Sequence, residues 1–167
     1  LLDALEVYLE QKGKGRPKTF RVAAERSCNY LIGLCGNKPL SDYTRQDALQ
    51  FRDWLVARGL TGSSITRNFS YLKAVINFAL SEYALDVRNP FIGVYHDRNA
   101  GVLVRKPIPL DDIRNIQSEC RAIDDDMRWL IALISDTGMR LAEGAGLLKE
   151  DLVGLDTSQP YVHITKH

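Results

Sequence analysis

Asp136-Thr137-Gly138-Met139-Arg140-Leu141-Ala142-Glu143-Gly144-Ala145-Gly146-Leu147-Leu148-Lys149-Glu150-Asp151-Leu152 is the stretch on which the reading of this sequence turns. A glycine after an apolar run stops one helix, and a second begins at once, so Arg140 falls near a helix N-terminus behind a tight turn. A guanidinium there, beside unpaired backbone N–H groups, can hold an anion such as a phosphate. Glu143 follows one helical turn along the same face, where it can fix the arginine's orientation. The same spacing also fits an ordinary surface ion pair, worth on the order of a few tenths of a kcal/mol and no function. Spacing alone leaves both readings open.

Immediately upstream, Asp125 to Thr137 carries Trp129, Leu130, Leu133 and Ile134. So apolar a helix is expected in the core of a domain. Before it, Pro109-Leu110-Asp111-Asp112 opens a helix from about Ile113 to Arg121, with Asp111 or Asp112 as its cap. Gly93 to Lys106 lacks periodicity and contains Arg98, Arg105 and Lys106. It reads as a linker, with Val102 to Val104 as a short strand or extended contact.

Residues 1–97 read as four helices. Leu1, Leu2, Leu5, Leu9 and Val7 form the first, ended by Gly13 and Gly15. The basic, glycine-rich loop from Gln11 to Lys18 (QKGKGRPK) follows. A second helix runs from Pro17 to Cys35, with Phe20, Ala24, Ser27, Leu31 and Leu34 facing inward and Gly36 as its stop. Thr44 with Asp47 makes a capping signal for a helix to Arg58 that buries Ala48, Phe51, Trp54 and Leu55. Ser63 or Ser64 caps the fourth, whose inner face is Ile65, Phe69, Leu72, Ile76 and Leu80. Asn89-Pro90 closes the region.

Composition excludes several classes. Apolar content of 45% with 26% charged residues belongs to a folded chain. No apolar run reaches the ~20 residues a membrane span needs, so no membrane partner is expected. Cys28, Cys35 and Cys120 form no CxxC pair and predict free thiols, which fits a cytoplasmic location. The net charge of +1 conceals an asymmetry. Residues 1–106 hold sixteen Lys and Arg against ten Asp and Glu, whereas residues 107–167 hold six against eleven. A basic part followed by an acidic one suggests two domains with different partners.

The run T-G-x-R-x-x-E-x-x-x-L-x-x-x-D, held by Thr137, Gly138, Arg140, Glu143, Leu147 and Asp151, resembles the first box of the tyrosine recombinases, or phage integrases. The upstream part resembles that family's core-binding domain. It has Gly36-Asn37-Lys38-Pro39-Leu40, then Thr44 before Phe51, Trp54 and Leu55, then Ile65, Arg67, Leu72, Asn77-Phe78-Ala79 and Asn89-Pro90-Phe91. The resemblance covers nearly the whole chain in family order.

It implies a mainly α fold: a four-helix, SAM-like core-binding bundle over 1–97, a linker over 98–106, and over 107–167 the truncated, mostly helical start of an α+β integrase catalytic domain. It implies site-specific DNA recombination or integration through a 3′-phosphotyrosyl intermediate, as in a phage or other mobile element, with no cofactor and no metal. Arg140 matches the first of two phosphate-clamping arginines, and Glu143 the acidic residue that supports it. Tyr161-Val162-His163-Ile164-Thr165-Lys166-His167 resembles the first strands of a β-hairpin that carries a general-acid lysine, for which Lys166 is the candidate. Tyr161 is a strand residue in this reading, and the nucleophile is expected beyond the chain, so the segment should bind DNA without cutting it. The implied partner is double-stranded DNA, on which family members assemble as tetramers. The outward faces expected to meet it carry Lys18, Arg21, Arg26, Asn29, Ser64, Thr66, Arg67, Ser70, Lys73 and Asn77, with Arg98, Arg105 and Lys106 in the linker. The competing reading is a non-enzymatic helical DNA-binding module or a degenerate integrase remnant.

Overall fold

A computed structural model describes residues 1–165 of the chain. Seven helices, two isolated 3-10 turns and one two-stranded sheet account for its regular structure among those residues. The chain divides into two compact units, Leu1–Val104 and a second from Arg105 onward.

The first unit contains α1 (Leu2–Lys12), α2 (Lys18–Cys35), α3 (Arg45–Ala57) and α4 (Gly62–Glu82). Helix α4 is the spine, against which α1, α2 and α3 all pack. Its apolar residues Ile65, Phe69, Leu72, Val75, Ile76 and Ala79 are buried at helical spacing, and together they turn one face into the centre of the core. Ala24, Cys28 and Leu31 of α2 meet it from one side, and Ala48, Phe51 and Leu55 of α3 from another. Phe91, beyond the Asn89-Pro90 stop, fills the remaining end and lies 6.4 Å from the Phe69 ring. Arg45 anchors this closing segment by donating to the carbonyls of Pro90, Ile92 and Gly93 at 2.6–2.8 Å.

Capping follows the sequence at α3 and departs from it at α4. Thr44 accepts the Asp47 N–H at 3.2 Å while Asp47 Oδ2 accepts the Thr44 N–H at 2.8 Å, a reciprocal capping box. At α4 the cap is Thr61, whose hydroxyl accepts the Ser64 N–H, so neither Ser63 nor Ser64 takes that role. Gly62 enters the helix directly because the 97–101 strap lies across its first turn. The Gly62 N–H donates to Ala100 at 2.8 Å, and a Cβ on Gly62 would collide with the backbone of Asp97 and Arg98. Pro17 precedes α2 as its N-cap. In α1, Leu2 is exposed and Val7 half-buried, while Ala4 and Tyr8 join Leu5 and Leu9 inside.

Val102 to Val104 form no strand and lie exposed.

The second unit contains α5 (Leu110–Ile123), α6 (Asp126–Thr137), α7 (Leu141–Ala145), then β1 (Leu152–Val153) paired antiparallel with β2 (Tyr161–Val162). Asp111 and Asp112 lie inside the first turn of α5, whose N-cap is Pro109. The expectation that α6 is a buried core helix fails. None of its residues is buried, and Trp129 is 61% exposed. Its apolar face and that of α5 instead flank a groove of about 600 Å³ that includes Ile113, Ile116, Trp129, Ile131 and Ile134. Apolar composition predicts that a face wants cover; it does not say what supplies it.

Candidate nucleic-acid interface and anion-binding arginine

Two separate features carry the chemistry, one in each unit. In the first unit, the start of α2 and the middle of α4 border a groove of about 560 Å³ lined by Arg16, Lys18, Arg26 and Arg67 together with Phe20 and Tyr71. No acidic side chain lines it. Four cations around one concavity repel each other and attract phosphate oxygens. The Arg16 guanidinium lies 4.7 Å from the centre of the Phe20 ring, which holds the cation at the rim without neutralising it.

A buried polar bridge sets the groove's alignment. The Ser27 hydroxyl lies 3.0 Å from Asn68 Oδ1, and both residues are buried within the α2–α4 contact. The Asn68 amide donates to the Ser64 carbonyl at 2.9 Å, so the amide is used at both ends. A one-turn slip of α2 along α4 would leave Asn68 Oδ1 without its donor in an apolar contact, while the Ser27 hydroxyl keeps the Ala23 carbonyl and the Asn68 amide nitrogen keeps that of Ser64. Arg26 and Arg67 are the immediate neighbours of Ser27 and Asn68, so the bridge also fixes the two arginines on one groove.

Other expected contacts are distributed unevenly. Arg21 is spent on an i,i+4 ion pair with Glu25 at 3.2 Å and does not line the groove. Asn29 is exposed and Lys73 half-buried, both outside it. Ser64 and Ser70 bond within α4. The Thr66 hydroxyl donates to the Gly62 carbonyl and lies 2.7 Å from His96 Nε2, and Asn77 accepts from Asn89 at 2.7 Å. Arg98, Arg105 and Lys106 are exposed, Arg98 in the first unit and the other two in the second. Arg16 is the residue that sequence reasoning missed. It lies in QKGKGRPK, whose basic character was visible, but the fold decides which of its cations faces the groove.

In the second unit, Gly138 ends α6 in the left-handed conformation, with φ 69°, and the chain turns straight into α7. Glu143 then accepts from Arg140 twice: the backbone N–H reaches Oε2 at 2.8 Å and the guanidinium reaches Oε1 at 3.0 Å. The Glu143 side chain is partly shielded, at 29% exposure, while the Arg140 side chain is 86% exposed. One edge of the guanidinium is thus held and the remaining N–H groups face outward, the form that a bidentate anion site takes. Helix α7 has only five residues, so the helix end adds little and the arginine's own charge does the work. Gly144 lets α7 settle on α6, because a Cβ there would press on Leu130 and Ile134.

Lys166 lies outside the described residues. Tyr161 is 59% exposed and opens β2 opposite Val153. The cysteines are free, and burial pushes the Cys28 thiol up to about 12 and, with Asp47 nearby, Cys35 to about 11. Both are therefore protonated and unreactive near neutral pH.

No family model and no curated protein matches the chain. Its structure is similar to that of the Tn1549 transposon integrase solved in complex with transposon right end DNA. The TM-score is 0.71 at 22% identity, covering 89% of this chain and 49% of that one.

The chain has the integrase fold.

Two further structures of that integrase, in complex with circular intermediate DNA, give TM-scores of 0.70 and 0.71 at 21% and 20% identity, each over 89% of this chain. The chain spans about half the length of these integrase structures. The mainly helical integrase fold agrees with the expectation from sequence. No helix among the described residues is long and apolar enough to cross a membrane.

Proposed function

We propose that this chain is the DNA-binding unit and the opening of the catalytic unit of a tyrosine-type site-specific recombinase acting on double-stranded DNA. The observation that carries the reading is the Arg140–Glu143 pair behind the Gly138 turn, in a chain with the integrase fold. In the reaction, a tyrosine hydroxyl attacks a scissile phosphodiester. A 3′-phosphotyrosyl bond forms and the bond to the 5′-oxygen breaks, releasing a 5′-hydroxyl. A 5′-hydroxyl from the partner strand later reverses the step, so no external energy source is needed. Negative charge builds on the non-bridging oxygens in each transition state. Arg140 stabilises that charge, and Glu143 holds the guanidinium in place without moving protons itself. The groove of Arg16, Lys18, Arg26 and Arg67 takes backbone phosphates and holds the duplex in register.

Replacing Arg140 with alanine in the full-length recombinase is expected to slow cleavage of a suicide duplex by about 10²–10³-fold, the usual loss for a transition-state donor. DNA affinity should be largely spared. Retained cleavage sinks the assignment. A salt titration of labelled duplex binding tests the groove separately. Affinity should fall steeply with salt, and Arg67→Ala should reduce the log–log slope by about one. A slope that is flat for the unsubstituted protein removes the phosphate contacts.

A second reading, a DNA-binding module without catalysis, draws support from the groove lying wholly in the first unit. Under it, the Arg67 substitution weakens binding and the full-length protein cleaves nothing.

A further inference from the structure

Among the described residues of the second unit, only two are buried, Gly144 and Asp151. A glycine under a helix contact needs no special account. A buried carboxylate in a unit with no buried apolar side chain does, because burying a charge is costly unless its oxygens are bonded.

Asp151 bonds in two directions. Oδ2 accepts the Leu148 N–H at 2.8 Å, which ties it to the turn leading out of α7. Oδ1 accepts the Thr165 hydroxyl at 2.9 Å, which ties it to the chain leaving β2. The Asp151 carbonyl also accepts the His163 N–H at 2.8 Å, one step past the Leu152–Val162 pair of the ladder. One residue thus joins the turn that follows α7, the helix capped by Arg140, to the chain that leaves the sheet after Val162. The two-residue strands supply little on their own, since so short a hairpin is marginal in water.

We propose that Asp151 is a positioning residue, which with Thr165 fixes the outgoing end of β2 relative to the Arg140–Glu143 turn. The inference rests on the recombinase reading, in which groups on both segments must meet one phosphate. It adds that a buried joint, remote from the anion itself, sets their alignment. The bonds to Leu148 and Thr165 set geometry, and both can survive the loss of the carboxylate charge. An asparagine at 151 can still accept the Leu148 N–H and can donate its amide to the Thr165 oxygen, whereas alanine at 151 or valine at 165 breaks the link.

The test uses the full-length protein in single-turnover cleavage of a suicide duplex at saturating DNA. Thr165→Val and Asp151→Ala should cleave about tenfold to a hundredfold more slowly, the range expected when reacting groups are misplaced by about 1 Å. Duplex affinity should stay within about twofold. Thr165→Ser and Asp151→Asn should restore most of the rate, which a loss of folding alone would not produce. Should Asp151→Ala fail to fold, Thr165→Val carries the test, because its exposed site tolerates the change. Wild-type rates for Thr165→Val, alongside a dead Arg140→Ala, overturn the joint and leave the recombinase reading standing. An asparagine variant as slow as alanine overturns positioning in favour of charge. A full-length protein that never cleaves overturns the recombinase reading, and the joint's role falls with it.

Discussion

The two units of this chain hold their shapes by different means. Residues 1–104 enclose every buried apolar side chain found among the described residues, from Leu1 to Phe91. From Arg105 onward, three helices and a hairpin bury no apolar side chain, and the one deeply placed polar group is a carboxylate. The first unit is therefore stabilised in the ordinary way, by apolar area removed from water. The second has local elements, of which α6 and α7 carry caps of their own, and their apolar faces are only partly covered among the described residues. Local signals can build a helix, but a unit's resistance to opening comes from what its faces press against.

Truncation is the sharpest way to break this contrast. Phe51, fully buried in α3, should lose about 3–5 kcal/mol of unfolding free energy on substitution by alanine. Trp129, a larger side chain but mostly exposed, should change by no more than about 0.5 kcal/mol. Urea unfolding of the two variants checks this, and equal losses would abolish the distinction between the units. A smaller effect comes from the strap over α4. Gly62→Ala forces the Asp97 and Arg98 backbone away, and should cost about 1–3 kcal/mol as overpacking does. Trypsin should then cut after Arg98 faster than in the unsubstituted protein, and an unchanged rate would contradict the close approach.

The last effect is electrostatic. Burial tends to raise the Asp47 carboxyl, but the Thr44 N–H, the Lys38 ammonium and the Thr44 hydroxyl outweigh it and hold its pKa at about 2, against 3.8 unperturbed. A carboxylate depressed on folding contributes stability above its unfolded value and loses it as pH falls through the folded one. Acid titration should thus show stability draining between about pH 4 and pH 2, a loss that Asp47→Asn lacks. Identical acid profiles would remove Asp47 from the account.

What could be read in advance followed from distance along the chain. The Thr44–Asp47 box was legible because both partners sit three residues apart, whereas the Lys38 ammonium that also reaches Asp47 Oδ1 at 2.9 Å was not. Arg140 and Glu143 were legible for the same reason, as was the stop at Gly138. The cap of α4 was not, since Thr61, Ser63 and Ser64 offer three hydroxyls within four positions and the strap chooses among them. Thr66 and Asn77 looked like outward DNA contacts, yet His96 and Asn89, far away in sequence, engage them. Arg16 was overlooked because a basic loop gives no hint of which cation the next helix will turn inward. The apolar run of α6 announced an interior face and said nothing of its neighbour.

The strap has one further consequence, for anyone who would divide this protein. The apolar core of the bundle finishes at the Phe91 plug, and a cut after Asp97 would look harmless. Such a cut would remove the Ala100 acceptor of the Gly62 amide and leave His96 at a loose end beside Thr66. The spine helix would then begin frayed, at the end nearest Arg67. A self-standing version of the bundle should keep the chain through Gly101, where the backbone turns back against Thr61.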